Sequence, residues 1–205
     1  MYESFEKLVE SKKDQILQVC IEEFALNGYE GTSTNTIVKR LGISKGVLFL
    51  YFKSKKNLYM YIVKYLMKIL NDEFFERFSD KKTSEEFDIF DDLGEYYNIL
   101  MQDRPYVLKF MLDAFLNPPI DLSEAIEYEH SYAHTKAMDR INTDKLRKDV
   151  NLQMVLDLLH MVSYHVGQMI FKDYSGRMDN FKEDIDRYTE TYKQYVKLIK
   201  YGVYR

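Results

Sequence analysis

The chain holds a single cysteine, Cys20, which excludes an internal disulfide and any Cys-rich zinc site. Cys20 lies on the apolar stripe Ile16, Cys20, Phe24 and reads as a core residue. No stretch approaches the roughly 18 uncharged apolar residues of a membrane-spanning helix. The opening MYESFEKLVE places acids where a secretory signal needs a basic region ahead of an apolar run, so a cytoplasmic protein is expected. No nucleophile elbow, phosphate-binding loop or zinc-protease helix occurs, and the acids spread over solvated helix faces. An enzyme is not expected, and no cofactor is implied.

A further absence is local. Between Gly31 and Asn71 there is no acidic residue but there are eight basic ones: Lys39, Arg40, Lys45, Lys53, Lys55, Lys56, Lys64 and Lys68. The formal net charge is −4, so setting aside the +8 of this window leaves −12 on everything else. One sign of charge on a compact unit is what contact with phosphates needs. The alternative is an ordinary solvated basic face.

What is present points to an all-α protein of about nine helices. Three prolines and eight glycines interrupt a chain of 205 residues with 46% hydrophobic content, whose apolar residues recur at steps of three and four. Residues 4–10 form a candidate short helix. Ser11 and Asp14 resemble a capping box opening a helix that stops at Asn27-Gly28. Further helices are expected over about 34–41, 44–52 and 55–78, the last long enough to join two domains, 1–56 and 57–205. Thr83 with Glu86 suggests the start of a helix to about Gln102, Pro105 opens the next, and Asn117-Pro118-Pro119 ends it. Helices over about 121–141, 145–172 and 178–201 complete the chain.

Residues 34–52 read as a helix-turn-helix, with Gly42 as the turn. Ser44 at the cap position accepts from free backbone N–H groups, and Ile43 and Leu48 fall at the two staple positions. Leu48 and Phe52 then point inward, whereas Gly46 and Leu50 point outward, flanked by Lys45, Val47, Phe49 and Lys53. That face suits a major groove. Glycine at 46 costs helix stability, which a close approach to a phosphate or base edge would explain; a neutral surface glycine is the alternative. Lys45 is suited to donate to guanine O6 and N7, or to touch phosphate only.

The run Gly28-Tyr29 with Gly31-Thr32-Ser33-Thr34, then Ile37, Leu41 to Gly46, Leu48, Tyr51 to Lys55 and Leu58, resembles the DNA-binding domain of the TetR family of transcriptional regulators. It covers about residues 11–58. The resemblance implies that Ser33 and Thr34 touch phosphate, that Asn35 reaches a base or a phosphate, that Lys45, Gly46, Val47 and Phe49 face bases, and that Tyr51 and Lys55 grip the DNA backbone. Phe49 stands where the family usually has tyrosine, which exchanges a hydroxyl contact for apolar contact with a thymine methyl. Leu50 replaces a commonly polar or aromatic residue. It has three readings: contact with a thymine methyl or sugar, an inert surface leucine, or a domain that has lost DNA affinity.

In the last helix Phe181, Ile185, Tyr188, Tyr192, Tyr195 and Ile199 follow one another at steps of 4, 3, 4, 3 and 4, a heptad-like seam. Ser163 and Gly167, one turn apart, would let another helix cross closely. Together they suggest a dimer interface, which the resemblance also implies; packing within one chain is the bland reading. The middle of the chain is rich in aromatics and methionine, which fill cores and line adaptable pockets alike. The resemblance implies a site there for a small effector, with Tyr97, Phe110, Phe115, Tyr132, Met161, Tyr164 and His165 as candidate contacts. Occupancy of that site would swing the long 55–78 helix. His130 and His134 lie one turn apart near Glu127, a spacing able to hold a metal, but surface or hydrogen-bonded histidines are far commoner and no metal is expected.

The expected protein is a homodimeric, ligand-responsive repressor that binds a palindrome in double-stranded DNA and has no membrane partner. Two alternatives stand: the same fold without an effector, and a helical hydrophobe carrier whose basic patch meets anionic membrane.

Overall fold

A computed structural model describes residues 2–77, 89–138, 146–174 and 181–203. Ten helices occur among these residues: α1 (Glu3–Glu6), α2 (Glu10–Gly31), α3 (Thr34–Leu41), α4 (Lys45–Phe52), α5 (Lys55–Arg77), α6 (Ile89–Asp103), α7 (Pro105–Leu116), α8 (Ser123–Met138), α9 (Leu152–Tyr174) and α10 (Phe181–Val203). The all-α architecture is as the periodicity predicts. None of these helices is long and apolar enough to cross a membrane.

Local signals set most boundaries. The chain kinks at Gly28, whose φ of 66° and ψ of 177° end the regular part of α2. The Thr32 hydroxyl then donates to the carbonyls of Glu23 and Gly28 at 3.1 and 2.6 Å, which ties the return of the chain to the end of that helix. Pro105 opens α7 at a position where no N–H is needed, and α7 ends before Asn117. Two expected starts differ. Val9, not Ser11, caps α2, and no side-chain cap bond forms there. α9 begins at Leu152 rather than near 145, because the Asn151 carboxamide oxygen accepts from the N–H of Gln153 at 2.7 Å and starts the helix there. The proposed cap at Thr83 and Glu86 lies outside the described residues.

Two hydrophobic cores result. The first holds α1 to α4 together and reaches into α5, α7 and α8 through Tyr59, Phe110, Ala114 and Ile126. Core packing therefore crosses the expected division at residue 56. Cys20 is buried in this core, and burial pushes its thiol up to about 12. The second core joins the end of α5 to α6, α9 and α10 through Phe74, Tyr96, Leu159, Tyr188 and Val196. α7 lies between the two, packing against α2 on one side and against α6 and α9 on the other.

Candidate nucleic-acid interface and effector cavity

The α3–α4 unit is built by its turn. Gly42 takes the left-handed conformation at φ 64°, and the N–H of Ile43 donates back to the Val38 carbonyl at 3.1 Å, closing α3. The Ser44 hydroxyl accepts from the N–H of Val47 at 3.2 Å and starts α4. Leu48 and Phe52 are buried, as the helical wheel predicts. Ser44, Lys45 and Gly46 are exposed, Val47, Phe49 and Tyr51 are half-buried, and Leu50 is 53% exposed. At the head of α3, Ser33 and Asn35 are exposed and Thr34 is half-buried. A side chain added at Gly46 would meet only the Ser44 hydroxyl oxygen, at the ordinary contact distance of 3.7 Å, so no neighbour among the described residues demands glycine there. Lys45 leans over its own helix, with Nζ 5.8 Å from the centre of the Phe49 ring.

The short α1 has a specific role in the structure. Phe5 is fully buried against Phe52 and Tyr61, with ring centres 4.7 and 5.2 Å away, and meets Tyr51 edge-on at 5.9 Å. α1 thus braces the back of α4.

The eight cations of the basic window separate into two groups. Arg40 pairs with Glu22 at 2.5 Å and Glu23 at 2.9 Å, Lys56 with Asp121 at 3.1 Å, and Lys64 with Glu129 at 2.7 Å. These tie elements together. Lys55, expected to grip DNA, is turned inward in this structure: its ammonium donates to the carbonyls of Tyr29, Glu30 and Thr32 at 2.8, 3.3 and 3.3 Å and lies over the Tyr29 ring. A lysine one residue into α5 reaches the unsatisfied carbonyls at the end of α2 and closes that helix. Lys39, Lys45 and Lys53 remain as exposed cations of the α3–α4 unit, and Lys68 is exposed further along α5.

In the second core the helices leave a cavity of about 380 Å³ between α5, α6, α7, α8 and α9. Of the candidate effector contacts, Tyr97, Phe115 and Tyr164 line it. Phe110 does not. Its ring lies in the first core, 5.0 Å from Tyr59 and 6.1 Å from Phe24, because α7 turns that face toward α2. Met161 and His165 also lie off the cavity. Met161 is 63% exposed, and His165 packs its ring on Tyr195 of α10 at 5.6 Å. The side chain of Tyr132 lies outside the described residues.

Ser163, His130 and His160 are among the cavity residues that the sequence does not single out as ligand contacts. Ser163 lines the cavity beside Tyr97, whose phenol burial pushes above its ordinary value. His130 and His160 face each other across the cavity wall with ring centres 4.8 Å apart. The sequence pairs His130 with His134 by spacing; the side chain of His134 lies outside the described residues, and the structure sets His130 against a histidine thirty positions away on another helix. The hint available was the spacing of His160 and Tyr164, one turn apart on α9. Behind the wall, Tyr96 donates to the Leu70 carbonyl at 3.0 Å and to Glu73 at 3.1 Å, and Arg104 forms a two-pronged ion pair with the same Glu73. Arg104 holds the Glu73 carboxyl below its ordinary value. Among the described residues no three His, Cys, Asp or Glu side chains gather as a metal site would require.

The expected dimer residues fall mostly inside the chain. Ser163 faces the cavity, and a methyl group added at Gly167 would lie 2.9 Å from a Leu112 methyl and 3.0 Å from a Leu116 methyl, so the close crossing is that of α9 with α7. Tyr188 and Tyr192 are buried in the second core, and the Tyr188 hydroxyl donates to Asp173 at 2.6 Å. A heptad-like stripe marks a buried seam without saying whose helix covers it; here α6 and α9 do. Phe181 and Ile185 have side chains outside the described residues. Tyr195 is exposed, and it belongs to another stripe. Met154, Leu158 and Met161 of α9 and Tyr195, Leu198 and Tyr201 of α10 are all exposed apolar side chains, Leu198 at 71% and Tyr201 at 77%.

Comparison with known proteins agrees with this geometry. Residues 16–62 match the family described as bacterial regulatory proteins, tetR family. Over 89 residues the chain is 37% identical to the HTH-type transcriptional regulator QacR of Staphylococcus aureus, a stretch that covers 42% of this chain and 47% of QacR. The match thus spans less than half the length of that relative. In fold, the chain resembles SmeT, the repressor of the Stenotrophomonas maltophilia multidrug efflux pump SmeDEF, with a TM-score of 0.66 at 15% identity, covering 98% of this chain and 93% of that one. It also resembles the transcriptional regulator FadR of Bacillus subtilis, solved in complex with stearoyl-CoA, with a TM-score of 0.63 at 15% identity, covering 90% and 96%.

Proposed function

We propose that this chain, whose residues 16–62 match the tetR family of bacterial regulatory proteins, is a dimeric, ligand-responsive DNA-binding regulator of transcription, acting as a repressor. α4 enters the major groove. The observation that carries this reading is the division of α4 into a face locked by Leu48 and Phe52 and a face of Lys45, Gly46 and Leu50 left open to solvent. Gly46, for which the fold shows no internal need, lets the start of α4 approach a base edge or phosphate. Val47, Phe49 and Leu50 supply apolar contact to thymine methyls, Ser33, Thr34 and Asn35 meet the backbone at the head of α3, and Tyr51 flanks them.

An eight-residue helix is about 12 Å long and reads only a few base pairs. Two copies double the readout. The exposed stripe of Met154, Leu158, Met161, Tyr195, Leu198 and Tyr201 supports a second copy as its cover, since a two-fold axis sets one such patch against its twin. The cavity takes a small, mostly apolar effector. α7 connects it to the reader: Leu108, Leu112 and Phe115 line the cavity, while Phe110 and Ala114 sit in the first core beside α2. Filling the cavity shifts α7, and α2 and α3 with it, which changes the distance between the two copies of α4.

Selection of the protein from a randomised duplex library at physiological salt tests the reading. An enriched inverted repeat, with half-sites about 34–36 Å apart or at multiples of that distance, is expected. A folded protein that enriches no sequence, or only a single half-site, overturns it.

A further inference from the structure

Taking the cavity as the effector site, we infer that its ligand is an apolar molecule with a carboxylate head, held at the cavity mouth between His130 and His160. The inference starts from where the polar groups of the wall lie. Among the described lining residues there is no Asp, Glu, Lys or Arg, and the side chains able to carry charge in the ordinary pH range are the two imidazoles. They come from different helices, α8 and α9, yet their ring centres are 4.8 Å apart, and Phe115 supports His130 from behind at 4.9 Å.

Position selects the head of the ligand. His160 is exposed and His130 half-buried, so the pair marks the rim, whereas Leu, Met, Phe and Tyr side chains make up the depth. A charged head at the rim keeps part of its hydration while its tail is desolvated, which avoids the cost of burying an ion. An anion at the pair accepts a charge-assisted N–H bond from each ring once that ring is protonated, which a cation does not. Tyr164, one turn beyond His160 on the same rim, adds a hydroxyl. The tail has room inward: a second cavity of about 60 Å³, shared with the first at Tyr97, Leu108, Leu112 and Ser163, continues toward Gly94 and Gly167. The aromatic wall would hold a cationic ligand by its ring faces, so the rival is defined.

Calorimetric titration with three probes that share a tail, decanoate, 1-decanol and decyltrimethylammonium, decides the matter. Decanoate should bind at least about tenfold more tightly than either of the others, the effect of roughly one charge-assisted hydrogen bond. In His130→Gln and in His160→Gln that advantage should fall to within about threefold of decanol, with the affinity for decanol unchanged as the internal check that the cavity is intact. Equal binding of all three probes leaves the cavity as an effector site but overturns the carboxylate head. Preference for the cation, or a decanoate advantage that survives both substitutions, overturns it as well. Binding of none of the three overturns the effector reading and this inference together.

Discussion

The two cores of this protein are packed to different ends. In the first, aromatic rings interlock from α1 to α7: Phe5, Phe52 and Tyr61 form one cluster, and Phe24, Tyr29, Tyr59 and Phe110 another, with successive ring centres about 5 to 6 Å apart. In the second, helices of similar composition surround about 380 Å³ of open space. Atoms lining that space lack dispersion partners on one side, so a molecule that fills it stabilises the fold in proportion to its contacts. The first core holds a reading surface in one shape, and the second leaves a shape to be chosen by what enters. α7 belongs to both.

The contrast is sharpest at Phe110. Phe110→Ala should destabilise the protein by about 3–5 kcal/mol in denaturant unfolding, because the ring is enclosed on all sides; a loss below about 1 kcal/mol would mean that the first core is not rigid. Next comes Lys55, which closes α2 in this structure. Lys55→Ala should cost about 1.5–3 kcal/mol of stability, while the slope of DNA affinity against salt stays near that of the parent. Loss of about one unit of slope with stability unchanged would instead return Lys55 to the phosphate backbone.

Smaller effects probe the second core. Gly167→Ala would meet only the methyl ends of Leu112 and Leu116, both of which line the cavity and have space to turn into it. It should cost less than about 1 kcal/mol, yet lower the affinity for any cavity ligand; a cost of about 3 kcal/mol would show a wall that does not yield. The smallest effect is one of pH. Arg104 holds the native Glu73 carboxyl below its ordinary value, so the unfolded chain takes up this proton first as pH falls. The contribution of Glu73 is full above the unfolded value of about 4.3 and is lost as pH falls through the lower native value. Comparison of melting at neutral pH and at acid pH for the parent and Glu73→Gln should show the two converging in acid.

Much of the reader was legible in the sequence because its signals are local. Gly42 permits the left-handed turn, Ser44 caps α4, and Leu48 and Phe52 share a face; each is decided within a few residues. Pro105 and Asn117 bound α7 for the same reason. Partners distant in sequence were not legible. The spacing of Tyr188 and Tyr192 marks a buried stripe but not that α6 and α9 bury it, and the face of Phe110 is indistinguishable by period from that of Phe115. The role of Lys55 depends on carbonyls some two dozen residues earlier, which a helical wheel does not contain.

The account rests on α7 carrying the state of the cavity to the DNA reader. The direct test is the affinity of Ala114→Leu for the duplex enriched in selection, compared with the parent at the same salt. Ala114 is fully buried in the first core, one turn from Phe110, on a helix whose main contacts are with α2, α5, α6, α8 and α9. A leucine there wedges α7 from α2. With helical content and dimerisation unchanged, affinity should fall at least about tenfold. A folded, dimeric variant that binds the duplex as tightly as the parent would contradict the account.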